Sequence, residues 1–147
     1  MAYPVCAVSL TESPIVAPEE RRCAEAGAIV DFWGVVRGTE EGAEIAGIEY
    51  EAHRAMAEHQ LRLLAARALE RFELTEVLIR HRIGFVSVGE ASLLVRVGSC
   101  HRAAAYRASQ WIVEELKKRA PIWKHPRLRQ GYGAEGASAQ KVVAAQV

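Results

Sequence analysis

The apolar positions of this chain change period several times, and each change marks an element. Residues 2–10 (AYPVCAVSL) predict a strand. The run GAIVDFWGVVR at 27–37 is nearly continuous in apolar and β-forming residues, which predicts a strand covered on both faces. Between them, Pro18 with Glu19 and Glu20 predicts a short helix, because proline suits a first helical turn and acids complement its positive end. Gly38 to Ala43 (GTEEGA) reads as a polar loop, and Ile48 and Tyr50 alternate with Glu49 and Glu51 as in a half-buried strand. From Arg54 to Phe72 the period lengthens. Ala57, Leu61, Leu64, Ala68 and Phe72 recur at helical spacing, with Met56 and Leu63 extending the apolar side.

Two further strands are expected at 76–86 and 91–98, joined through Val88-Gly89-Glu90. In the second, Leu93, Val95 and Val97 should face one way, Ser92 and Arg96 the other. Ser99 is placed to cap a second long helix, running from Cys100 or His101 to Arg119 and stopped by Pro121. Beyond Arg129 the chain is Gly-rich and ends in a weakly patterned tail. The order β-α-β-β-α-β-β-α describes one α+β domain with a mostly antiparallel sheet and two long helices.

Composition narrows the function. At 147 residues the chain can hide roughly two-thirds of its unfolded surface, enough to fold without a metal or disulfide staple. A net charge of +1 argues against a dedicated nucleic-acid binder. Cys6, Cys23 and Cys100 form no paired or clustered pattern, so neither zinc nor a disulfide framework is indicated, and no cofactor is implied. The first ten residues lack the pattern of a signal peptide, and no apolar run reaches the length of a membrane span. A cytoplasmic protein is expected.

Positive charge must therefore act locally, and three features concentrate it. His101-Arg102 opens the second long helix, where free N–H groups favour an anion; the same pair also reads as two solvated polar residues at a helix end. Arg37 closes an apolar strand and could bind phosphate or pair with Glu40 or Glu41. Lys117 and Lys124 flank the helix stop in ELKKRAPIWK. Lys117 suits a last helical turn in any case, whereas Ile122 and Trp123 should anchor Lys124 beside a cleft, where a neighbouring cation would favour a base or nucleophile. Cys100 beside His101 could be a thiol and its base, though a buried cysteine at a strand–helix junction is the expectation. His81, with an arginine on either side, reads as part of a polar sheet face; His53 and His59 lie near the first long helix's start and on its surface.

In order along the chain stand D-F-W-G-V-V-R-G (31–38), I-E-Y-E-A-H-R-A-M-A (48–57), H-R-I-G (81–84), V-G-E (88–90), S-C-H-R-A-A-A-Y (99–106) and L-K-K-R-A-P-I-W-K (116–124). This series closely resembles the large, catalytic subunits of molybdopterin synthases, over about residues 24–124. The resemblance implies an α/β-hammerhead-like fold spanning 1–147 as a single domain, with a divergent segment at 124–147. It implies conversion of cyclic pyranopterin monophosphate to molybdopterin by dithiolene formation. Sulfur would come from the C-terminal Gly-Gly thiocarboxylate of a small ubiquitin-like sulfur-carrier subunit, and a homodimer would form the core of a heterotetramer.

Residue by residue, Lys117 and Lys124 match the family's active-site lysines, Arg37 its strand-end arginine, His101 and Arg102 its substrate-binding pair, and Phe32 an aromatic near the donor tail. Two departures stand out. Pro126 occupies a position the family usually fills with an acid, and the following stretch lacks its tryptophan, leaving Arg127 or Arg129 as stand-ins for a later arginine. The loop after Arg37 offers Thr39-Glu40-Glu41 where the family has asparagine. Ending in Gln146-Val147, the chain is expected to receive sulfur rather than donate it. The alternative to the enzyme is a non-catalytic pterin-phosphate-binding or assembly homologue; a third reading is a cysteine hydrolase using Cys100.

Overall fold

The computed structural model describes residues 4–20 and 23–129, and the backbone of 140–141. Its elements are β1 (Val5–Thr11), β2 (Ala28–Val35), β3 (Thr39–Glu40), β4 (Ala43–Ala52), α1 (Arg54–Arg71), β5 (Glu76–Arg82), β6 (Gly84–Ser87), β7 (Ala91–Ser99), α2 (Arg102–Arg119), β8 (Ile122–Leu128) and β9 (Gln140–Lys141). They make an α+β fold with two sheets. One has the order β1-β5-β7-β2, with β1 parallel to β5 and the other pairs antiparallel. The other runs β3-β4-β8-β9, with β6 also on β4. The stretch expected as one strand at 76–86 is thus two, broken at Gly84, whose φ of 84° turns the chain from one sheet into the other.

Both helices pack on the same face of the first sheet. The core between them joins Ala57, Leu61, Leu64 and Ala68 of α1 and Ala105, Ile112 and Leu116 of α2 to Val77, Ile79, Leu93, Val95 and Val97. Burying each of the leucines, isoleucines and valines contributes about 1.5–3 kcal/mol. Met56 and Leu63, placed on the apolar side by spacing, are instead 51% and 39% exposed. They sit a heptad apart on the flank of the stripe, turned from the sheet.

Three other expectations are corrected. β2 is not covered on both faces: Phe32 packs against the core, while Ile29, Asp31 and Val35 are exposed. The neighbouring β7 is the doubly covered strand, buried from Ser92 to Ser99. Ser92 and Arg96 of that strand are buried as well. Nor is there a helix after Pro18 among the described residues. Residues 14–20 are irregular and cross the outer face of the sheet, where the Val16 carbonyl accepts from Arg80 at 3.0 Å and Glu20 lies in the field of Arg96. Cys23 to Ala26 form a turn instead, and 21–22 lie outside the described residues. Ser99 remains strand, paired with Ala28, so His101 is the N-cap of α2; Ser99 Oγ only accepts the His101 N–H at 3.4 Å. The stop at Pro121 holds, with Ala120 extended. Most of the Gly-rich tail lies outside the described residues.

Candidate functional site

The chain leaves β2 through Arg37 and returns along β4 after a tight hairpin. Glu41 and Gly42 form its tip with φ values of 49° and 80°, the left-handed pair that suits a two-residue turn between twisted strands. Further on, β4 is bulged between Ile45 and Gly47. Tyr50 then stands opposite Lys124 of β8, while Glu40 stands opposite Ala43 at the other end of β4. On a straight strand those two register positions would lie roughly 20 Å apart. Yet Glu40 and Lys124 form an ion pair, with both side chains more than nine-tenths buried. The hairpin must therefore fold back over β8, and the bulge is where β4 can bend.

This ion pair is the centre of a buried polar cluster. Burial raises the Tyr50 hydroxyl pKa, a hydrogen bond with Ser92 opposes that, and the Glu40 charge adds to it. The Tyr50 ring meets His81 edge-on at 5.2 Å. His81, 1% exposed, donates from Nδ1 to the Arg82 carbonyl at 2.7 Å, and burial lowers its pKa to about 4. It is a neutral core histidine, not part of a polar sheet face. The flanking arginines point the other way, Arg80 to Val16 and Arg82 to Glu90 at 2.9 Å. That partner, with Ser87, holds the Glu90 carboxyl below its usual range.

The cations expected to act together separate into two groups. Arg37, exposed, follows the C-terminal end of β2, and it pairs with neither Glu40 nor Glu41. Lys124 belongs to that same end, since Ser92, the partner of Tyr50, bonds Gly34 at 3.4 Å. Helix α2 leaves the opposite end of β7 and packs back along β7 and β2. Its 18 residues cover about 27 Å, which returns Lys117, in the last turn, to the Arg37 end. His101 and Arg102, both exposed, begin that helix beside the Ala28–Ser99 pair. Between them and Arg37 lies the full length of β2, roughly 23 Å. One chain does not bring them to one small ligand.

Ile122 is fully buried and fixes β8, as its place before Lys124 suggested. The charge nearest Lys124 is nevertheless a carboxylate, where a second cation was expected. Glu40 was missed as its partner, although the Glu41-Gly42 dipeptide could have disclosed the hairpin that carries it. Cys100 is exposed, not buried, and its thiol stands at the end of β7. Arg127 and Arg129 are exposed on and after β8.

Fold and site together define a two-helix α+β protein with anion-attracting side chains at both ends of one sheet. The MoaE protein family model matches residues 10–119, and the chain belongs to that family. It is 36% identical over 130 residues to the molybdopterin synthase catalytic subunit of Thermoplasma volcanium, spanning 86% of this chain and 95% of that one. A crystal structure of molybdopterin synthase from Staphylococcus aureus superposes with a TM-score of 0.77 at 32% identity, covering 83% of this chain and 91% of the other. A complex of subunits 1 and 2 of molybdopterin-converting factor from Helicobacter pylori gives 0.61 at 25% identity, covering 76% and 74%.

Proposed function

We propose that this chain is the catalytic subunit of a molybdopterin synthase. It converts cyclic pyranopterin monophosphate to molybdopterin in the cytoplasm, taking sulfur from the C-terminal thiocarboxylate of a small ubiquitin-like subunit. Membership of the MoaE family carries the reading. The burial of Lys124 on a strand fixed by Ile122, at the end of the sheet shared with Arg37 and Lys117, supports the roles within it. Lys124 serves as general acid or base as thiolate attacks and the cyclic phosphate opens. Lys117 adds positive charge where negative charge develops. Phe32 was matched to an aromatic near the donor tail, but it packs against the core, so it would support that wall from behind.

Arg37 and the His101-Arg102 pair hold the anionic pterin, the latter with the N–H groups that open α2. Because the length of β2 separates them, they meet only if two copies pair, each lending its α2 start to the other's Lys124 end. A two-fold homodimer does this twice by symmetry. The reading predicts complementation. Arg37→Ala and Arg102→Ala are each inactive alone, and an equal mixture allowed to exchange subunits regains about a quarter of wild-type turnover. No recovery in a mixture shown to exchange would refute the shared site.

The direct test mixes the chain with thiocarboxylated small subunit and cyclic pterin and follows dithiolene product. Product that needs both partners, and falls at least a hundredfold in Lys124→Ala as for a lost acid–base group, is the expected result. Unchanged turnover in that variant removes Lys124 from the chemistry. A second reading, pterin-phosphate binding without turnover, draws on Pro126 at the position of the family's usual acid. Bound pterin with no product would select it.

A further inference from the structure

Lys124 as it stands cannot touch a ligand. It is 4% exposed, it is held between β4 and β9 by strand pairing, and its ammonium is engaged by Glu40. The two partners are mounted very differently. The lysine sits on a strand of seven residues whose Ile122 is fully buried. The glutamate sits on a strand of two residues, paired among the described residues with β4 and ending at the exposed Glu41-Gly42 tip. A ligand that reaches Lys124 therefore moves the hairpin, not the lysine.

We propose that Glu40 is the access residue of this site: its carboxylate holds the Lys124 ammonium while the site is empty, and an oxyanion of the incoming reactants takes its place. The proposal rests on the reading that Lys124 acts in the reaction. Chemistry favours the exchange. A carboxylate and a phosphate or thiocarboxylate oxygen are equivalent acceptors for an ammonium, so the buried charge never loses its partner. An uncompensated ammonium at that depth would be strongly unfavourable, and Glu40 removes that state. Glu40, released, needs only water, which the exposed hairpin provides. The same carboxylate raises the Tyr50 hydroxyl pKa, so its departure also alters the group facing Lys124 across the sheet. A neutral competitor for the pocket has nothing to exchange with Glu40, and this makes it a selectivity element for anions.

The test uses the full chain with Glu40→Gln, with Glu40→Asp, and with Glu44→Gln on the exposed part of β4 as a control. The first readout needs no turnover: acetylation of Lys124 on folded protein by a neutral acetyl ester of N-hydroxysuccinimide, which releases N-hydroxysuccinimide, followed by peptide mass spectrometry. Labelling should quicken at least fivefold in Glu40→Gln, by less in Glu40→Asp, and not in Glu44→Gln. Equal labelling in all four proteins overturns the proposal, even if the enzyme reading stands. The second readout is steady-state synthesis with the small subunit. In Glu40→Gln the KM for the displacing anion should fall several-fold while kcat changes less than twofold. A fall confined to the pterin assigns the exchange to its phosphate; a fall confined to the small subunit assigns it to the thiocarboxylate. A lower kcat with both KM values unchanged would mean that Glu40 only braces the fold. Should Glu40→Gln not fold, Glu40→Asp carries both readouts, and wild-type values in it refute the gate. A wild-type chain without product sinks the enzyme reading alone, because the labelling result stands apart from it.

Discussion

His81 should make this protein acid-sensitive in a window where its carboxylates do not. Its ring is fully buried and donates to the Arg82 carbonyl, and burial sets its pKa at about 4 against 6.5 for a solvated histidine. In the folded state it stays neutral down to pH 4, while in the unfolded chain it takes a proton below about 6.5. The unfolded state therefore binds more protons between these values, and stability falls as pH falls through them. Above pH 6.5 the contribution is complete. At about 1.4 kcal/mol per pH unit the full loss is about 3 kcal/mol, of which about 2 kcal/mol is gone at pH 5. Glu90 and Glu115, whose partners lower their pKa values, lose their contributions only below the ordinary carboxylate range, so the interval from pH 7 to 5 isolates histidine. The other four histidines are common to any comparison with His81→Asn, which keeps an N–H donor and does not ionise. Urea unfolding at both pH values should show the wild type losing about 2 kcal/mol more than the variant over that interval. Parallel losses would refute the claim that His81 is buried neutral.

Two further changes test the frame around the site. A Cβ at Gly47 would meet the Val86 carbonyl at 2.4 Å and the Phe85 ring at 2.5 Å; the ring can turn but the backbone of β6 cannot, so Gly47→Ala should destabilise by about 1–3 kcal/mol, read as a lower urea midpoint. Arg96, 7% exposed, donates from Nε and Nη2 to the two oxygens of Asp31 at 2.7 Å each, so Asp31→Asn should cost about 2–3 kcal/mol; a loss under about 0.5 kcal/mol would mean that water screens the pair.

Both helices and most strands were legible in the sequence because their apolar residues keep one period and bury one face. Errors arose where tertiary contacts override that pattern. Arg96 lies on a fully buried strand because Asp31 reaches it from β2, and nothing in ASLLVRVG announces such a partner. The corner at Gly84 was hidden in a continuous run of β-formers. Met56 and Leu63 fit a helical stripe whose width only the sheet beneath decides. β8 was not read as a strand at all: IWKHPRL has no clean alternation, since Lys124 points inward to Glu40 and Pro126 is accommodated in the pairing with β4. The resemblance supplied the candidate site residues, but spacing along a chain does not say which end of a sheet each occupies.

The net charge of +1 hides a division of labour among cations. Arg82, Arg96 and Lys124 are neutralised by Glu90, Asp31 and Glu40, which lets them lie in or near the core. Arg37, Arg102 and Lys117 have no such partner among the described residues. Two of these three are exposed at opposite ends of β2. If an anionic substrate uses both arginines, as proposed, it draws on two chains, and on the proposed exchange it displaces Glu40 to reach the lysine. Under the proposed function and the proposed exchange at Glu40, substrate binding, subunit pairing and exposure of Lys124 depend on one another: the lysine is uncovered where oxyanions have been gathered to replace its counter-ion. Such coupling would give the buried ammonium a counter-ion throughout the catalytic cycle.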